Sequence, residues 1–291
     1  MSLAPQSWPS PAEQAPRQSG FLAGTLTVWR WETVKLGGQF RVRAAAALCV
    51  VVPFLVVAAL SVQSSVPQDT LFGQWTQETG LAIALAVLSF AGQWVLPVLT
   101  ALVAGDTFSS EDHFGTWKSV LTRSRTRDEL FAGKYLAALS YTVVVLALLA
   151  GATVAAAALA GLHPVVGLTG QPVPTGEAVR LVAASWATQA APMLGFCALS
   201  VLLSVATRNS LAGVGVTVLV ALAMQVVALV DLPGPLRSAL LGTAFGAWHG
   251  LWAQQPFYGP LQVGLLCSTA WFVACTVGAW VVFDRRSFRV A

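Results

Sequence analysis

The stretch from Asp106 to Lys134 holds about a third of the charged residues in a chain of 291 residues that is only 10% charged. Its side chains suit ion pairs and docking better than catalysis. Glu111 and Asp112 precede Phe114, Trp117 and Leu121, which recur at helical spacing. Arg123, Arg125 and Arg127 then crowd a turn before Asp128 and Glu129. Ser109 with Asp112, and Thr126 with Glu129, each fit the start signal of a helix, in which a hydroxyl and an acid three residues on satisfy free backbone N–H groups. The pattern predicts one short helix, a basic turn and a second helix start. On pattern alone the loop serves either of two ends. It docks a soluble partner, or it lies on the bilayer with its arginines on anionic headgroups.

Other chemistry finds little support. Gly133-Lys134 is followed by Tyr135 and lacks the upstream glycine of a P-loop, so the chain has no such route to ATP. No H-E-x-x-H and no G-x-S-x-G occurs. His113, His163 and His249 do not converge by spacing. Cys49, Cys197, Cys267 and Cys275 all fall in apolar segments, where they read as small hydrophobes. No cofactor, metal or nucleic acid is expected on this chain.

The elements that carry the loop follow from composition. The chain is 56% hydrophobic with a mean hydropathy of +0.71. A soluble domain carries about 25% charged residues, so this chain requires lipid as its solvent. Six apolar segments, roughly 44–62, 80–104, 135–160, 181–206, 210–231 and 260–283, are each long enough to cross a bilayer as helix. With both termini inside, all Lys and Arg residues except Arg180 and Arg237 lie on the inner side, which is the expected bias of cytoplasmic segments. Residues 1–20, with four prolines, read as disordered, and 21–291 as one membrane domain.

Ahead of the first span, Leu22, Leu26, Trp29, Leu36 and Phe40 fall near one helical face. They read as an amphipathic helix in the membrane interface, or as an early start of the first span. Among the few polar residues within the spans, Gln189, Ser185 and Thr188 read as interhelical hydrogen-bonding groups. Gln93 with Trp94, near Pro97, and Gln225 are the candidates for a substrate path. No ionisable group stands inside a span, which disfavours an ion-coupled carrier or channel. A non-transporting membrane scaffold is the other alternative.

The run Glu111-Asp112-His113-Phe114-Gly115-Thr116-Trp117-Lys118-Ser119-Val120-Leu121-Thr122-Arg123, with Arg127 and Gly133-Lys134 after it, resembles the loop between the second and third spans of ABC-2 type transporter permeases. The resemblance covers about thirty residues in motif and most of the chain in architecture. Ser124 stands where that family often has proline. The resemblance implies an all-α, six-span exporter subunit with no ATPase motif of its own. Its coupling helix would engage the ATPase through Glu111, His113, Phe114, Gly115, Thr116, Trp117, Lys118, Leu121, Arg123, Arg125 and Arg127. Two ATPase subunits using ATP and Mg, a second permease chain and the plasma membrane complete the implied assembly. The resemblance also implies re-entrant helices between spans five and six. Leu236 to Ala247 would form them, with Trp248, Trp252, Phe257 and Tyr258 at the outer interface; an ordinary loop with aromatic anchors is the alternative.

Overall fold

In the computed structural model the described residues are 20–62, 72, 75–115, 126–228, 230 and 233–286. Helix α1 is Phe21–Gly38 and α2 is Phe40–Val62. Span two consists of α3, Gly80–Phe90, a π-helical turn, Ala91–Val95, and α4, Leu96–Ala104. The short α5, Ser109–Phe114, lies in the polar loop. Span three is α6, Arg127–Leu159. Span four is α7, Thr175–Thr188, followed by α8, Ala190–Thr207. Span five is α9, Ser210–Ala228. After α10, Gly234–Ser238, and a 3-10 helix, Leu241–Trp252, the last span is α11, Gly259–Asp284. Six helices are thus long and apolar enough to cross a membrane. A helix satisfies its own backbone, which is why apolar runs of this length take that form in lipid.

Two spans depart from a regular α-helix, each one turn before a proline. Pro97 has no N–H to offer the carbonyl of Gln93 four residues back. The helix widens into the π turn just before it, and Gln225 of α9 donates its side-chain amide to the Gln93 carbonyl at 3.3 Å. In span four, Pro192 deprives Thr188 of its partner in the same way, and α7 gives way to α8 at Gln189.

Spans two, three and four form the centre. Only 22%, 22% and 17% of the apolar windows of spans one, five and six are buried, so these three present most of their surface to lipid or to a neighbour. Helices α8 and α11 pack along much of their length, as do α1 and α6.

Helix α1 is separate from span one, because Gln39 is extended (φ −78°, ψ 131°). The expected apolar stripe does not make one face. Leu36 is buried and Trp29 half-buried, while Leu22 and Leu26 are exposed and Phe40 already belongs to α2. The helix docks on α6 through a ridge of Gly24, Thr25 and Val28. Gly133 makes this possible: a Cβ there would lie 2.5 Å from that of Val28 and 2.9 Å from the Thr25 carbonyl oxygen. Trp29 fastens the contact with an indole N–H donated to Ser140 Oγ at 3.0 Å. Trp29 therefore packs α1 onto span three.

The far end also departs from expectation. Trp248 and Trp252 are 1% and 0% exposed, so they are core residues and not interface anchors. Phe72 packs against both, with ring centroids 5.8 and 5.5 Å away. The Trp252 N–H donates to Ser185 Oγ at 3.0 Å, and its carbonyl accepts from Leu168 N at 2.8 Å. Phe257 and Tyr258 are exposed. A two-strand hairpin, Val165–Val166 with Pro172–Val173, reaches Trp252 through Leu168 and Gln171, which both donate to its carbonyl.

Candidate functional site: the ion-paired face

At the other end of the bundle, charged residues from five elements converge. Lys134 is 0% exposed, although it is a lysine about two turns into span three. Its ammonium donates to Glu32 Oε1 at 2.9 Å and Glu111 Oε1 at 3.0 Å, with the Thr107 carbonyl at 3.5 Å. Lys35 approaches the same Glu111 oxygen at 2.5 Å. Two carboxylates thus face two ammonium groups, so the buried Lys134 ammonium meets opposite charge rather than an apolar wall. Burial acts to lower the Lys35 pKa, but Glu32 and Glu111 overcome it and the net shift is upward.

Two further pairs extend this face. Arg41, at the start of α2, pairs with Asp106, which also accepts from Ser210 at the start of α9. Arg286, just past α11, pairs with Asp112 at 3.1 Å and donates to the Val205 carbonyl at the end of α8. Burial and the neighbouring Arg208 lower the Arg286 pKa, and Asp112 works against them. Arg127 donates to the Arg286 carbonyl at 3.2 Å. The backbone N–H groups of Phe108 and Ser109 find Ser204 Oγ at 3.3 and 3.1 Å.

Helix α5 is thus fixed from several sides. Glu111 faces α1 and span three; Asp112 faces span six. Its start differs from the expected one. Phe108 occupies the cap position without a side-chain bond, and Ser109 instead donates back to the Gly105 carbonyl at 3.1 Å. Its end differs too. Gly115 adopts φ 63°, a left-handed conformation that glycine takes without strain, and this stops the helix at Phe114. The second start signal forms in full. Thr126 Oγ1 accepts from Glu129 N at 3.2 Å and Glu129 Oε2 accepts from Thr126 N at 3.1 Å, a reciprocal capping box.

Of the residues expected at the partner interface, Glu111 is buried, His113 and Gly115 are exposed, and the backbone of Arg127 opens span three. The side chain of Phe114 and all of Thr116, Trp117, Lys118, Leu121, Arg123 and Arg125 lie outside the described residues. Glu32, Lys35, Arg41, Asp106 and Arg286 are not among the residues expected at the interface. Each stands next to an apolar segment, and a charge at such an edge needs either water or a partner of opposite sign. That balance of signs was the available clue.

Within the membrane-spanning part, the structure brings Gln93 and Gln225 together and leaves Trp94 40% exposed. The Gln93 side chain is exposed, and its amide makes no hydrogen bond among the described residues. Nearby, a cavity of about 470 Å³ opens between spans one and two. Leu48, Val52 and Pro53 line it from span one, and Val87, Phe90 and Val95 from span two. Its walls are entirely apolar side chains, so it can take hydrocarbon and little else.

Six apolar helices held at one end by an ion-paired loop define a multi-pass helical membrane protein. The model of the family described as ABC-2 family transporter protein matches residues 31–224, about two thirds of the chain. The chain belongs to that family, whose members are membrane transport subunits and not themselves ATPases. No curated protein matches it.

Proposed function

We propose that this chain is the permease subunit of an ATP-driven exporter, and that the 111–127 segment receives the motion of a separate ATPase. The observation that carries this reading is the attachment of α5. A six-residue helix next to the loop is ion-paired to α1, to span three and to span six. A push on that loop reaches three elements at once, whereas a passive surface loop needs no such fastening. Two copies of the permease and two of the ATPase form the working assembly, with both termini on the cytoplasmic side of the plasma membrane. The substrate is hydrophobic or amphiphilic, which fits the apolar cavity between spans one and two. Gln93, Trp94 and Gln225 contribute the polar part of the path. Docking rests on Phe114 and Trp117, with Arg123, Arg125 and Arg127 pairing with acidic groups of the ATPase.

Co-purification in mild detergent, followed by an ATPase assay on the eluate, tests the proposal. The wild-type chain should bring down a nucleotide-hydrolysing subunit, and Phe114→Asp with Trp117→Asp should lose it while the spans stay inserted. Undiminished co-purification by that double variant would overturn the docking role.

A further inference from the structure

Span four ends in Thr207 and span five begins at Ser210, so only two residues join them. Arg208 is one of the two. It is held at φ 54° as the last residue of the α8 turn, and so it must stand at the membrane surface. The last span ends at Asp284, which puts Arg285 and Arg286 at the same level, since α8 and α11 pack side by side. Between these ends lies a pocket of about 280 Å³. Val205, Ala206 and Val282 form its apolar floor, and Arg208, Arg285 and Arg286 its rim.

The three guanidinium groups are not equivalent. Arg286 is buried, with its donors committed to Asp112 and the Val205 carbonyl. Arg208 and Arg285 are exposed, and their side chains make no hydrogen bond or ion pair among the described residues. Asp284, the nearest carboxylate in sequence, does not line the pocket. Among the described residues, the charges of Arg208 and Arg285 on the rim are therefore not neutralised. The rim sits at the ends of two spans, above an apolar floor of which Val282 is also exposed on the outer side of span six.

We propose that this pocket holds the phosphate of one anionic membrane lipid, with Arg208 and Arg285 as its direct ligands and Arg286 as the fixed wall behind them. Guanidinium groups present paired N–H donors to phosphate oxygens, and basic pockets between membrane helices bind anionic headgroups. The floor receives the glycerol backbone and the first methylenes. A free phosphate ion offers the same oxygens but cannot use that floor. The site adjoins the loop assigned above to the ATPase only through Arg286, which pairs with Asp112 and whose carbonyl accepts from Arg127; its two direct ligands, Arg208 and Arg285, are not on that loop.

The test is native mass spectrometry of the purified chain in detergent, with equal amounts of phosphatidylglycerol and phosphatidylcholine added. We expect one phosphatidylglycerol per chain to be retained in preference to phosphatidylcholine. Arg208→Gln with Arg285→Gln should reduce that preference by about 30-fold for the two charges together. Arg208→Lys with Arg285→Lys should keep most of it, which controls for folding. No preference in the wild-type chain would overturn the proposal, as would equal retention by the glutamine variant. Displacement of the lipid by an equal concentration of inorganic phosphate would also overturn it, since the site would then read a free anion. A glutamine variant that keeps its lipid but loses a co-purifying ATPase would assign the patch to a protein partner instead.

Discussion

Lys134 and Glu111 stand 3.0 Å apart, and the lysine is wholly withdrawn from solvent. This pair joins the loop to span three, and Glu32 on the other side of the same ammonium joins it to α1. Removing one partner of a buried pair leaves the other charged and unsatisfied, at a cost of about 3–5 kcal/mol. Lys134→Met should therefore strongly lower the unfolding temperature in detergent. Lys134→Met combined with Glu111→Leu restores the balance, with Lys35 left to Glu32, and should recover most of the loss. A double variant as unstable as the single one would show that packing, not charge, holds this corner.

The seat of α1 depends on Gly133. Gly133→Leu would drive its side chain into Val28 and the Thr25 carbonyl, and overpacking of this kind costs about 1–3 kcal/mol. We expect α1 to detach while the six spans stay assembled. Limited proteolysis checks this: cleavage within 21–38 should speed up markedly. Unchanged cleavage would mean that the helix shifts along α6 instead of leaving it.

The capping box at the start of span three is worth about 1 kcal/mol by analogy with other N-terminal caps. Thr126→Ala should cost that amount, and Thr126→Ser much less. Hydrogen exchange of the Leu130 and Phe131 amides, which report fraying of the first turn, should rise in the alanine variant alone.

Gln225 donates to the carbonyl that Pro97 leaves vacant. Pro97→Ala would restore the helical donor to Gln93 and make the amide redundant. In a double-mutant cycle, Gln225→Leu should cost about 0.6 kcal/mol in the wild-type background and close to nothing with Pro97→Ala. Additive costs would sink the link between the proline and the glutamine.

Lys35 has its pKa raised above the ordinary 10.5 by Glu32 and Glu111, against the effect of burial. A raised lysine contributes its stability in full below the unfolded value and loses it as pH climbs through the folded one. Docking of α1 should thus be indifferent to Lys35 titration from neutral pH to about 10 and weaken only above it. Lys35→Met should remove that alkaline transition; its persistence would assign it to another group.

The sequence made the spans legible because each is a long apolar run bounded by charge. It made the start of span three legible because both halves of the capping box lie within four residues. Elsewhere the deciding partner was distant. Trp252 is buried because Ser185 and Phe72 meet it, and an inward tryptophan looks the same in sequence as one facing lipid. Ser109 has the right spacing for a cap, but the Gly105 carbonyl takes its hydroxyl. The apolar spacing of Phe114, Trp117 and Leu121 predicts one continuous helix, yet the left-handed turn at Gly115 ends α5 first. Glu111 and Lys134 belong to the motif that carries the family resemblance. Their pairing could be read only once Glu32, more than a hundred residues before Lys134 in the chain, was seen beside them.

Around Lys134 two described carboxylates, Glu32 and Glu111, and two ammonium groups, Lys134 and Lys35, offset one another. A membrane potential does work only on charge that moves through it, about 2.3 kcal/mol per elementary charge for each 100 mV. Spans that shift without carrying charge across the bilayer do so at the same energetic cost in a polarised membrane as in a depolarised one. In the transport cycle proposed above, any voltage dependence would therefore report the charge of the cargo rather than the motion of these groups.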